Sequence, residues 1–220
     1  MIIRDREVDN NLLLNTTIFL LTGDIETTKF FSNLTSACSQ LGYFIEDVVK
    51  SKITYPIVEQ RELGFRKGKY VLFKPKFNKQ VPDFVLVDDV NKTINIFEVK
   101  INLRNADSKK VFGEKTKYES LKKYLDNIYK DYSVVLYAVD FFNLNGIRRN
   151  IKLYEQSNVL RVITGQEFCD MIDVHYDDVM SEVYKHREEN QKFIKEYKNK
   201  LMDELKEVEF KKDINLLSFL

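Results

Sequence analysis

The chain has 220 residues, 44% of them hydrophobic and 13% aromatic, which excludes a disordered or fibrous protein and provides for one substantial core rather than two full domains. With 35 Lys and Arg against 34 Asp and Glu the net charge is +1, so overall charge selects no polyanionic partner. The stretch "LLLNTTIFLL" is too short and too polar for a membrane span and the charged N-terminus does not fit a signal peptide, so no membrane association is expected and an intracellular location is.

In chain order, "GDIETTKFFSNLTSACSQLG" predicts an amphipathic helix: Asp24 or Thr22 can cap it, Phe30, Leu34, Cys38 and Leu41 recur at helical spacing, and Gly42 is expected to end it. The runs "KYVLFKPKF", "DFVLVDD" and "TINIFEVKINL" are rich in β-branched and aromatic residues and predict an antiparallel meander, with Pro75 and Pro82 at strand ends. "GEKTKYESLKKYLDNIYK" predicts a second helix with Tyr118, Leu121, Leu125 and Ile128 on its apolar face. "SVVLYAVDF" reads as a central strand, "IKLYEQ" as a short one, and "VLRVITGQEFCDMI" as a strand followed by a helix opening after Gly165. This order predicts an α/β fold, a mixed sheet flanked by helices.

From Tyr176 to Phe210 neither proline nor glycine interrupts the chain, and Val179, Val183, Ile194, Tyr197, Leu201, Leu205 and Val208 form a helical stripe. One or two long helices packed on the core, or a helix pair at a dimer interface, both fit that stripe. The expected organisation is a core over residues 1–175 with an N-terminal helical part, and a helical extension over residues 176–220. Cys38 and Cys169 sit in apolar helical patterns without zinc spacing and read as buried free thiols, and His175 and His186 as ordinary helix-face residues.

Two basic stretches flank the central hairpin. Residues 52–80 hold eight basic against two acidic residues, and residues 99–123 hold eight against three. Between them, Asp83 and Glu98 are separated by fourteen residues on strands joined by a short turn, which brings the two carboxylates to adjacent positions across the ladder. Their repulsion is relieved by a divalent cation, and oxygen ligands from two acids plus water suit Mg²⁺. Strand alternation turns Glu98 and Lys100 to one face, with Val99 facing the core. A metal beside an ammonium suits phosphodiester hydrolysis, the lysine stabilising charge or orienting the attacking water. Of five Asp/Glu-X-Lys matches, beginning at Glu98, Asp107, Glu196, Glu204 and Glu209, only that at Glu98 ends a strand and follows a Pro-Asp on its neighbour.

"PDF", thirteen residues, "EVK", a lysine-rich helix and an apolar strand resemble the PD-(D/E)XK nuclease superfamily, and with "VLRVITGQEF" the chain looks most like a type II restriction endonuclease. The resemblance covers residues 24–173. It implies a restriction-endonuclease-like fold and a Mg²⁺-dependent endodeoxyribonuclease in a prokaryotic cytoplasm, cutting double-stranded DNA at a specific, palindromic site as a homodimer. It further implies that Asp83 and Glu98 hold the metal, that the Val99 carbonyl completes the coordination and that Lys100 serves the attacking water. Glu59 in "YPIVEQREL" is the candidate for a further acid from an earlier element. A Gln-x-x-x-Tyr motif of the exonuclease branch is missing after "EVK". A structure-specific nuclease such as a Holliday-junction resolvase and a non-catalytic DNA-binding module are the alternatives. Beside the scissile phosphate, "INLRNADSKK" offers Arg104, Asn105, Lys109 and Lys110, and "FFNLNGIRRN" offers Asn143, Asn145, Arg148 and Arg149, as phosphate or base-edge contacts.

Overall fold

The computed structural model describes residues 20, 23–58, 66–101, 103, 108–142 and 160–217. They form α1 (Ile25–Lys52), β1 (Ile57–Val58), β2 (Lys69–Phe73), β3 (Phe84–Asp88), β4 (Thr93–Lys100), α2 (Ser108–Ile128), β5 (Ser133–Asp140), β6 (Leu160–Thr164), α3 (Gly165–Met171) and α4 (Tyr176–Leu217). The six strands make one mixed sheet in the order β1-β2-β3-β4-β5-β6. β2, β3 and β4 are an antiparallel meander, while β1 joins β2, β5 joins β4 and β6 joins β5 in parallel. The chain is therefore α/β with helices against a mixed sheet, as its hydrophobic pattern predicts. The "IKLYEQ" stretch lies outside the described residues.

Strand alternation sorts the sheet's two faces. Tyr70, Leu72, Val85, Val87, Ile94, Ile96, Leu136 and Ala138 point to one face, where Tyr118, Leu121 and Leu125 of α2 close the core over them. The residues between them, Phe84, Phe97 and Tyr137, point to the other face, where Phe168 of α3 packs with its ring centre 5.5 Å from Phe84 and 4.9 Å from Phe97. The β3–β4 turn is held by Asp88, a buried carboxylate that accepts from the backbone N–H groups of Val90 and Asn91.

Three expectations are corrected. Ile128, expected on the apolar face of α2, is exposed at the end of that helix. α1 does not stop at Gly42 but continues to Lys52, because Ile45 and Val49, both fully buried, extend its apolar face and outweigh one interior glycine. Its start is fixed by Asp24, whose carboxylate accepts from the Thr27 N–H at 2.6 Å. On the long C-terminal helix Val179 and Tyr197 are buried as the stripe predicts, but Ile194 is exposed; the side chains of Leu201, Leu205 and Val208 lie outside the described residues. α3 opens on a capping box between Thr164 and Glu167. Cys169 is buried there, and desolvation pushes its thiol up to about 12, which suits an inert structural cysteine.

The chain divides into two compact units, Leu41–Met180, and Met1–Gln40 with Ser181–Leu220. The first contains the whole sheet. In the second, Phe30 of α1 stacks on Tyr197 of α4 at 4.5 Å, and the Tyr197 hydroxyl donates to the Glu26 carbonyl. No described helix is long and apolar enough to cross a membrane.

Candidate active site

β3 and β4 pair Phe84 with Phe97, and one further step of that register sets Asp83 opposite Glu98. Asp83 falls just before β3 rather than within it, so its backbone N–H and carbonyl are outside the β3–β4 ladder; the carbonyl instead accepts from Lys74 N–H at 2.9 Å. Its carboxylate turns to β4, where Oδ2 accepts from Val99 N–H at 2.7 Å. Asp83, Glu98 and Lys100 share the parity of Val85, Val87, Ile94 and Ile96 and so belong to the face covered by α2. Lys100 Nζ donates to Glu98 Oε1 at 2.8 Å and lies 3.5 Å from Glu114 Oε1 on α2. Asp83, Glu98 and Lys100, separated in sequence, thus meet at the end of the hairpin.

Electrostatics give these groups distinct states. Burial first, then the Glu98 and Glu46 carboxylates, push Asp83 up to about 7, against the opposing pull of the Val99 N–H and Lys100. For Lys100 burial alone would lower the ammonium, yet Glu98, Glu114 and Asp83 outweigh it and hold it above the ordinary lysine value. A lysine so placed keeps its proton. The Tyr118 hydroxyl, one helical turn beyond Glu114, is raised by burial and then by the neighbouring Glu98 carboxylate.

Sequence reasoning missed Glu46, Lys74, Glu114 and Tyr118 as members of this neighbourhood. Glu46 on α1 is 6% exposed and acts on Asp83; Lys74 Nζ holds it at 2.6 Å. The signal for Glu46 is an acid inside the apolar run "FIEDVV", which a helix ending at Gly42 leaves outside the apolar face. The i, i+4 spacing of Glu114 and Tyr118 was the signal on α2, where Tyr118 reads as core alone. Glu59, Arg104, Asn105, Asn143, Asn145, Arg148 and Arg149 lie outside the described residues, and of Lys109 and Lys110 only the helical backbone is described. The basic stretch over 52–80 is partly spent internally: Lys69 lies 3.6 Å from buried Asp88, as Lys74 is tied to Glu46.

Among the described residues no three or more His, Cys, Asp or Glu side chains gather closely enough to form a metal cage by themselves. A hard cation that keeps much of its water needs fewer. Glu98 Oε2 is buried with no hydrogen-bond partner among the described residues, and the adjacent Asp83 carboxyl is raised by burial and then by the Glu98 charge that an ion between them would offset. The Val99 carbonyl shares a strand edge with the N–H that binds Asp83, since both groups of a strand residue address the same neighbour. Two carboxylates and one carbonyl therefore suit a largely hydrated Mg²⁺. Set against protein-family models, curated proteins and solved structures, the chain matches none.

Proposed function

We propose that the chain is a Mg²⁺-dependent endodeoxyribonuclease of the PD-(D/E)XK type, cutting double-stranded DNA at a specific site in the manner of a type II restriction endonuclease. The observation that carries this reading is the Asp83 carboxylate fixed on Val99 N–H opposite a buried Glu98 oxygen that has no hydrogen-bond partner among the described residues, with the Lys100 ammonium beside both. The succession of α1, the β2–β3–β4 meander, α2 and β5 supports the restriction-endonuclease-like reading of the fold.

In this reading Asp83, Glu98 and the Val99 carbonyl hold the ion. When bound, the ion polarises the scissile phosphate and acidifies a water. Lys100, kept protonated by Glu98 and Glu114, cannot take the proton of the attacking water. It supplies positive charge to the phosphate oxygens as negative charge builds there. Glu114 holds the lysine from the α2 side and Tyr118 borders Glu98, so α2 fixes the position of both.

Incubating phage DNA with the purified chain and Mg²⁺ tests the proposal: discrete fragments are expected, and their loss in Asp83→Asn. DNA left intact at every Mg²⁺ concentration would refute the activity, whereas cleavage confined to branched junctions would replace restriction by resolution. Cutting both strands of a palindrome takes two sites related by a two-fold axis, so the proposal includes a homodimer. Sedimentation checks that part, and a monomer that still cuts both strands would remove it.

A further inference from the structure

Tyr43 lies on α1 one turn before Glu46 and is 62% exposed, an unusual place for an aromatic ring beside a buried carboxylate cluster. The Lys74 ammonium sits 4.9 Å from the centre of that ring and 5.2 Å from that of Phe73, while its salt bridge to Glu46 fixes its position. Lys74 itself adopts φ 46, a left-handed backbone conformation that a non-glycine residue holds only when its surroundings impose it. Its backbone N–H donates to the Asp83 carbonyl, so one residue links the exposed ring to the candidate active site.

An aromatic ring with a cation over one face and so much of its surface open among the described residues presents area on which a second ring can stack. Glu46 and Asp47 both act on Lys74 and offset its charge, so the patch presents a ring rather than net positive charge. Such a surface takes a flat nucleobase in preference to a phosphate. Resting on the nuclease reading of the adjoining carboxylates, we propose that Tyr43, positioned by Lys74, is a stacking subsite for an unpaired base of the DNA strand entering the Asp83–Glu98–Lys100 site. The substrate strand is then locally unpaired next to the scissile phosphate, its base extruded from the duplex.

The test compares, by fluorescence anisotropy in EDTA, binding of the full chain to an oligo-dT and to an abasic oligomer of the same length and charge. The dT strand is expected to bind about fivefold tighter or more, the lower end of what one base–aromatic stack contributes. Tyr43→Ala should erase that difference while leaving abasic binding unchanged, and Tyr43→Phe should retain it; because Tyr43 is exposed, unchanged melting serves as the folding control. Lys74→Met is expected to narrow the difference without erasing it. A preference for dT that survives Tyr43→Ala overturns the subsite, as does the absence of any preference in the unmodified chain. A Tyr43-dependent preference in a chain that cleaves no DNA with Mg²⁺ would instead keep the subsite and discard the nuclease reading.

Discussion

Burial and the neighbouring acids Glu98 and Glu46 give Asp83 a folded-state acidity near neutrality, whereas in the unfolded chain the same group titrates at the ordinary aspartate value of 3.8. The native state therefore takes up a proton that the unfolded state releases. Asp83's contribution to stability is full below the ordinary value and is lost as pH rises through about 7. In EDTA the melting temperature should fall between about pH 5 and about pH 8, and Asp83→Asn should flatten that fall, because the amide stays neutral throughout. Equal pH slopes in the two proteins would contradict the raised acid. Adding Mg²⁺ at the upper pH should restore stability to the unmodified chain more than to the variant, since an ion bound only by the native state stabilises it. Lys100→Met removes the cation between Glu98 and Glu114 without removing either carboxylate of the ion site. Calorimetric titration should show Mg²⁺ binding retained while cleavage drops about a hundredfold or more, the usual effect of losing one donor to developing charge. Loss of ion binding would assign the lysine a structural role.

Two glycines in helices have opposite roles, decided by what surrounds each. Gly42 lies inside α1, and among the described residues a methyl group there would meet only Ile101 Cδ1 at 3.9 Å, an ordinary contact. Gly42→Ala should therefore stabilise the protein by about 1 kcal/mol, the helix-propensity difference, and raise its thermal midpoint. Gly165 opens α3 against the Phe141 backbone, where a methyl group would lie 2.4 Å from the carbonyl oxygen and 3.0 Å from Cα. Backbone cannot swing aside as a side chain does. Gly165→Ala should cost about 1–3 kcal/mol or more, seen as a lowered midpoint in chemical denaturation. Since Phe141 directly follows β5, whose last residues pair with Val99 and Lys100, this substitution should also disturb the neighbouring active-site strand.

At the scale of the molecule, every residue of the candidate site, from Glu46 to Tyr118, belongs to the unit Leu41–Met180. The same unit holds the sheet, α2, α3 and the start of α4, where Val179 and Met180 are buried. A chain of residues 41–180 should therefore unfold cooperatively on its own and retain Mg²⁺ affinity that depends on Asp83, as calorimetry would measure. A cut before Tyr176 would remove Val179 and Met180 and should be markedly less stable. A fragment 41–180 that is unfolded would show that the stability of this unit depends on the rest of the chain.

Local pattern alone determined much of this protein. Alternation in "DFVLVDD" and "TINIFEVK" fixed the meander and its register, and register carried Asp83 opposite Glu98 and set Lys100 beside it, because period two leaves a strand residue only two faces. The face of α2 formed by Tyr118, Leu121 and Leu125 and a helix opening near Gly165 were equally legible, since their signals lie within a few residues of one another. Only the tertiary structure brought Glu46, Glu114 and Tyr118 to the hairpin's end, attached Lys74 to Glu46 and left the Tyr43 ring in solvent. It also carried α1 through Gly42, where burial of Ile45 and Val49 overrides the local cost of a glycine. The reason is one of range. Hairpin pairing is decided by neighbours a turn away, whereas the state of a buried charge depends on which distant segments pack around it, and no spacing within one segment encodes that.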